Sequence, residues 1–302
     1  MTMNIRLRAI IFLVVLTAST ACVHKRTHIS QKSEVDIPSA PLVDNKGIVS
    51  NHVQTIMRLT GLSPATALID VVKETQKAWL RSPSREREHL SEQRADVRPL
   101  FLKELTSLGM VSRIMPTERH YDYVLLLGAM YRTVKARLSF LEDLAAHGVM
   151  FDSIGLLGSL RPIDSAQEQS TMAQERWPGK TPTTEIEMME ALFSQSSLAT
   201  KKPIIIASAM KINKSGQVVR ANTLDTVVDF SQLQKKPGRV LVISNQPYII
   251  RQGLVVSSVL KRPWVIETVG PMADPDCATS VYLDELARAL FEVSHNLAWL
   301  GR

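Results

Sequence analysis

The hydrophobic rhythm of this chain changes near Tyr121. Beyond it come short, continuous apolar runs: Tyr123 to Leu127, Ser153 to Leu157, Pro203 to Ala207, Val240 to Ile243, and Trp264 to Ile266. Runs of this kind, bounded by turn residues, predict strands buried on both faces. Between them lie segments with helical spacing: Thr133 to His147, Glu185 to Gln195, Thr223 to Leu233 and Tyr248 to Leu260. A last helix is expected over Ser280 to Leu300, where Leu283, Leu286, Leu290, Val293 and Leu297 share one face. Alternation of strand and helix calls for right-handed crossovers. It therefore predicts an α/β domain, a parallel sheet covered by helices on both sides.

Before Tyr121 the pattern is different. From Val53 to about Leu108 it is helical, with Ala67, Leu68, Val71 and Val72 at helix spacing and Trp79 after them. No strand signal occurs there. Arg81 to Arg98 mixes both signs of charge densely, as a solvated helix face or exposed loop does. Val23 to about Ser50 is polar, carries Pro38 and Pro41 and has no apolar period, so it reads as a tether. The expected organisation is a leader over 1–22, a tether over 23–50, a helical region over 51–120 and the α/β domain over 121–302.

The leader sets the expected compartment. Arg6 and Arg8 precede the apolar run Ala9 to Leu16, and the small residues Ser19, Thr20 and Ala21 then lead to Cys22. That order is a secretory signal, and the run is too short to span a bilayer. Ending on Cys22, it resembles a bacterial lipobox, although Ser19 stands where leucine is usual. The resemblance implies acylation of Cys22, palmitate included, and a lipid anchor in the membrane. Val23 after the cysteine, in place of Asp, implies the outer membrane, facing the periplasm. Plain secretion with cleavage near Ala21 is the alternative.

Composition narrows the partners. The chain has 302 residues, 36 Lys and Arg against 29 Asp and Glu, and a net charge of +7. Roughly 280 residues follow the leader, enough for one large domain or two smaller ones. The positive balance suits an anionic partner such as a lipid headgroup or a small ligand. No dense basic block with interleaved aromatics is present, so nucleic acid is not an expected partner. Cys22 and Cys277 are the only cysteines, which leaves no disulfide framework and no thiol metal site. His120, His147 and His295 are scattered without metal-ligand spacing, and no metal is expected. There is no nucleophile elbow, no P-loop and no dinucleotide fingerprint.

Ligands of open parallel sheets bind beyond the C-terminal ends of the strands. The segments following the first four runs each contain an arginine: Arg132 after Gly128, Arg161 after Gly158, Arg220 before Asn222 and Thr223, and Arg251 after Ser244, Asn245 and Tyr248. Helix N-termini also point to that rim, and the combination suits phosphate or carboxylate. The competing explanation is that several of these arginines face solvent. Gly128 and Gly158 allow close backbone approach. Thr184 and Glu187 fit a capping box, which leaves Glu185 for the site, and Asn222 fits an N-cap. Pro247 suits the first turn of a helix. The connection from Arg161 to Lys180 is long for a compact domain; Trp177 within it is a candidate lid residue, and a variable surface insertion with no role is the alternative.

Four motifs in order then resemble the YdcF-like proteins, which include the SanA and ElyC envelope factors. They are Val124 to Gly128 followed by Arg132 and Arg137, Thr184 to Met189, Asn222 to Thr226, and Val242 to Arg251. The resemblance covers about residues 122–270. It implies a Rossmann-like fold and a role in cell-envelope biogenesis or drug tolerance. It also implies a nucleotide-like ligand, S-adenosylmethionine among the candidates. Three positions depart from the family: Tyr248 replaces a histidine, Ala129 a second glycine, and Thr226 stands near the place of an asparagine. Loss of the imidazole removes a natural base or metal ligand near neutral pH and favours binding over catalysis, or a divergent activity. The expected ligand-binding set is Gly128, Arg132, Gly158, Arg161, Glu185, Asn222, Thr223, Ser244, Asn245, Tyr248 and Arg251. The alternative is a non-catalytic envelope lipoprotein that acts through protein contacts on its helical region.

Overall fold

The computed structural model describes residues 42–44, 46–81, 92, 95–213 and 216–300, with side chains to 296. The leader, Cys22 and most of the tether lie outside the described residues. Among the described residues no helix is long and apolar enough to cross a membrane.

Three helices come first: α1 Asn51–Leu59, α2 Leu68–Trp79 and α3 Arg98–Ser107, the last preceded by a 3₁₀ turn. The α/β part follows as β1 His120–Leu127, α4 Tyr131–Ala146, β2 Met150–Ser159, α5 Ser170–Gln174, α6 Glu185–Ser194 and β3 Ile204–Ser208. After it come β4 Lys211–Ile212, β5 Val218–Val219, α7 Thr223–Leu233, β6 Arg239–Ile243, α8 Ile249–Val259, β7 Val265–Val269 and α9 Thr279–Leu300. The main sheet has five strands in the order β3-β2-β1-β6-β7, all parallel. This is a Rossmann-like α/β arrangement, as the apolar runs predict. The short antiparallel pair β4 and β5 was not expected; two residues per strand give no periodicity to read.

Three cores hold the layers together. On one face of the sheet, α4 and α6 pack Val134, Leu138, Leu141, Met188 and Met189 against Val124, Leu126 and Leu156. On the other face, α7 and α8 bring Val227, Phe230 and Val256 against Leu125, Leu127, Val240 and Val242. Strand residues alternate between these two cores, which is why the runs are apolar at every position. The third core joins α1, α2 and α3 to α8 and α9, with Val53, Val71, Phe101, Ile250, Leu254, Leu286 and Leu290 all buried. The helical region is therefore clamped to the sheet layer through α8 and α9.

Two local expectations change. The end of the stretch read as a tether is packed: Leu42, Val43 and Val49 are buried in the third core, and Val43 bridges to Val49. Three apolar residues in a polar stretch are enough to anchor a turn, and no period is needed. Pro247 lies before α8, in the turn where the Tyr248 N–H donates to the Asn245 carbonyl, and not in the first helical turn.

Progress from β1 to β2 to β3 runs outward in one direction. The chain then crosses back over β1 to place β6 and β7 on its other side. The order thus reverses between β1 and β6, where crossover helices lie on opposite faces and leave a crevice at the strands' C-terminal ends.

Because the third core spans both regions, Leu286→Ala should loosen both. The fully buried side chain should cost about 2–5 kcal/mol on truncation. Urea unfolding followed by circular dichroism should show one transition moved to lower denaturant. Separate transitions for the helical region and the sheet would contradict a shared core.

Candidate ligand-binding site

The crevice at the reversal is a cleft of about 440 Å³, lined from β1 and its exit turn, α4, α6, the approach to α7, α8, α9 and the end of α2. Gly128, Glu185, Asn222, Thr223, Tyr248 and Arg251 of the expected set line it. So do Arg220 and Arg137, both noted in the sequence but not carried into that set, and Arg81, Arg288 and Glu292, which sequence reasoning missed.

Buried Arg137 forms the floor. It is only 2% exposed, and α4 places it under the exit of β1. Its Nη1 donates to the carbonyls of Leu127 and Gly128, both at 2.9 Å. Nε donates to Asn245 Oδ1 at 2.9 Å, and Nη2 to Gln252 Oε1 at 3.3 Å. Ser244 Oγ also donates to Gln252 Oε1, and Gln252 Nε2 reaches Thr223 Oγ1 at 3.5 Å. Ser244 and Asn245 therefore do not line the cleft. They sit one layer below it, in the network that ties the β6 exit to the β1 exit.

Gly128 and Gly158 do the expected work of close approach, in different places. A Cβ on Gly128 would lie 2.9 Å from the Leu157 carbonyl oxygen and 3.0 Å from Glu185 Oε1. A Cβ on Gly158 would meet Met189 Sδ at 2.9 Å, so Gly158 lets α6 pack on β2 and does not face the cleft.

The four expected arginines separate. Arg251 and Arg220 line the cleft. Arg132 does not; it is largely exposed and faces Glu175 at 3.7 Å. Arg161 is buried behind the cleft, donating to Glu168 at 2.6 and 3.1 Å and to the Ala129 carbonyl at 3.2 Å. Burial alone would push the Arg161 guanidinium down; Glu168 and Glu185 outweigh it and hold it above its ordinary value. These differences follow from helix phase: one position along α4 turns Arg132 out, while five later Arg137 turns in.

Opposite the floor, α9 carries two fully buried carboxylates, Asp284 and Glu285. Glu285 accepts from Arg251 Nε at 2.5 Å. Asp284 accepts from Arg288 at 3.0 and 3.2 Å and from the Arg81 backbone N–H at 3.1 Å. Arg81 Nε stands 3.9 Å from Asp284. The acids fix the places of the arginines that face the cleft, and Arg81 brings the helical region into the site. Glu292 lies two turns beyond Glu285 on the same helix. Burial pushes its carboxyl above the ordinary glutamate range, against the pull of Arg251, His295 and Arg288.

Helix starts are as expected for Asn222, whose side chain and that of Asp225 form a reciprocal capping box. For α6, Thr184 accepts from the Glu187 N–H, but the Glu187 carboxylate turns to the Thr183 N–H and hydroxyl instead of the Thr184 N–H. The long connection after β2 is ordered by a π-helical turn, Ser165–Gln169, that runs into α5. Trp177 lies edge-on to Tyr131 with ring centroids 5.6 Å apart and lines a separate concavity with Arg176 and Thr183. It does not close over the cleft.

Chemically, the cleft offers several guanidinium groups, hydroxyls from Thr133, Thr223 and Tyr248, and the carboxylates of Glu185 and Glu292. That set can hold an anion and hydrogen-bond to the rest of the same ligand. No family model and no curated protein matches the chain.

Replacement of Arg137 by Lys keeps the charge and loses the planar fork. Each buried oxygen left without its donor should cost about 1–3 kcal/mol. Chemical denaturation of Arg137→Lys should show that loss. A change within about 0.5 kcal/mol, typical of a surface site, would mean that Arg137 is not the brace.

Proposed function

We propose that this protein is a membrane-anchored periplasmic lipoprotein whose α/β domain binds a small anionic or nucleotide-like ligand, in the service of cell-envelope biogenesis or maintenance. The observation that carries the ligand reading is the cleft between the β1 and β6 exits, with Arg220, Arg251 and Arg288 lining it. The strand-order reversal is where ligands of doubly wound sheets bind. A guanidinium fork matches carboxylate and phosphate oxygens in pairs. The envelope reading draws on the leader ending at Cys22 and on the resemblance to YdcF-like proteins. Tyr248, standing in the place of that family's histidine, lines the cleft and supplies a hydroxyl and a ring face where an imidazole base would be.

Sulfate is a suitable probe, because its charge is constant near neutral pH. Isothermal titration at low salt should detect binding that weakens as salt is added. Arg220 is exposed, so Arg220→Gln should fold normally and lose about tenfold in affinity, the scale of one charged hydrogen bond. Proton uptake by Glu292 removes a negative charge from the cleft. Since its proton is held to higher pH than usual, sulfate affinity should rise as pH falls through that range. Glu292→Gln should flatten the slope. Absence of sulfate binding at any pH would overturn the anion reading and leave protein contacts as the function.

The anchor is tested separately. Cys22→Ser should carry no acyl mass and should leave the membrane fraction. A parent protein without acyl mass, fractionating like the mutant, would overturn the lipoprotein reading.

A further inference from the structure

The cleft's inner end is not built for an anion. Glu185 opens α6 and is 7% exposed. One carboxylate oxygen, Oε2, is saturated by Ser159, whose N–H donates at 3.0 Å and whose hydroxyl donates at 2.6 Å. The other, Oε1, has only a long ion pair, with Arg161 Nη2 at 3.6 Å. Arg161 is committed elsewhere, to both oxygens of Glu168. One guanidinium thus serves two buried carboxylates and favours Glu168. A carboxylate oxygen held by one long ion pair keeps the capacity to accept a further donor. Glu185 lines the cleft beside Gly128, and the missing side chain there is what leaves space next to Oε1.

We infer that the cleft takes a sugar phosphate: the phosphate meets the arginines of α8, α9 and the α7 approach, and a sugar hydroxyl donates to Glu185 Oε1. This deepens the anion reading and rests on it. The donor is a neutral hydroxyl and not an ammonium, because Arg161 and Arg137 already place positive charge at this end of the cleft. The ligand is a sugar and not a nucleoside, because Tyr248 is the sole aromatic residue lining the cleft among the described residues, and the lining is mainly polar. A base stacks on aromatic or broad apolar surface.

Binding to the purified full-length protein distinguishes these cases without any mutation. Glucose 6-phosphate should bind about tenfold or more tightly than cyclohexylmethyl phosphate, which has the same ring and anion but no ring hydroxyls. If both bind equally, the anion reading stands and the sugar inference fails. If neither binds, the anion reading fails with it. Tighter binding of 2-aminoethyl phosphate than of glucose 6-phosphate would identify an amine as the missing donor and overturn the inference. Ribose 5-phosphate and adenosine monophosphate share the hydroxyl and the anion; they should bind alike, and a gain of about tenfold or more from the base would make the ligand a nucleotide and overturn the sugar assignment.

Discussion

The arrangement of the cleft depends on one buried cation. Arg137 fills the space beneath the point where the strand order reverses, and its donors reach both sides of that point. Two go to the carbonyls that end β1, and the others go to Asn245 and Gln252 beyond β6. Strand exits at such a reversal have no ladder partners in front of them, and their carbonyls need donors from elsewhere. A guanidinium supplies several in one rigid plane, which a lysine or an amide cannot do. With the two exits tied, the turn after β1 stays bare at Gly128, and Tyr248, Arg251 and Gln252 start α8 at the cleft's edge.

A second tier of charge lies across from this floor. Asp284 and Glu285 are fully buried on α9, and both spend their charge on arginines that line the cleft. Buried acids of this kind are weak contributors to stability. Their consequence here is geometric: they hold long, flexible side chains in one place, which lowers the entropy lost when an anion is bound. The same pairing explains why the helical region belongs to the site. Arg81, at the end of α2, is fixed through its backbone to Asp284. The apolar contacts between α2 and α9 in the third core supply the alignment.

Much of this could be read from the sequence, for definite reasons. The five strands of the sheet and the major helices follow from continuous apolar runs and from helical spacing, both of which survive any detail of side-chain placement. Asn222 as a cap and Gly128 at a close approach follow from local chemistry. The division among arginines does not. Arg132 and Arg137 lie on one helix, and only the phase at which α4 meets β1 decides that the first faces solvent and the second is buried. Arg161 lies just past the end of β2 while Arg251 lies within α8, and a buried Glu168 captures Arg161. Arg288 and Glu292 were hidden because the α9 stripe was read for its leucines. Asp284 and Glu285 on the same helix were the available signal: adjacent acids beside a buried stripe need partners. Ser244 and Asn245 were located correctly in the chain but one layer too high.

A ligand seated at the reversal between β1 and β6 would slow backbone exchange around it. Hydrogen–deuterium exchange with and without saturating sulfate tests this most directly. Slower exchange is expected in peptides covering Leu127 to Arg137, Arg220 to Asp225 and Tyr248 to Gln252, with the concavity around Arg176 and Thr183 unchanged. Protection confined to that second concavity, or to the outer faces of α1 and α3, would contradict it.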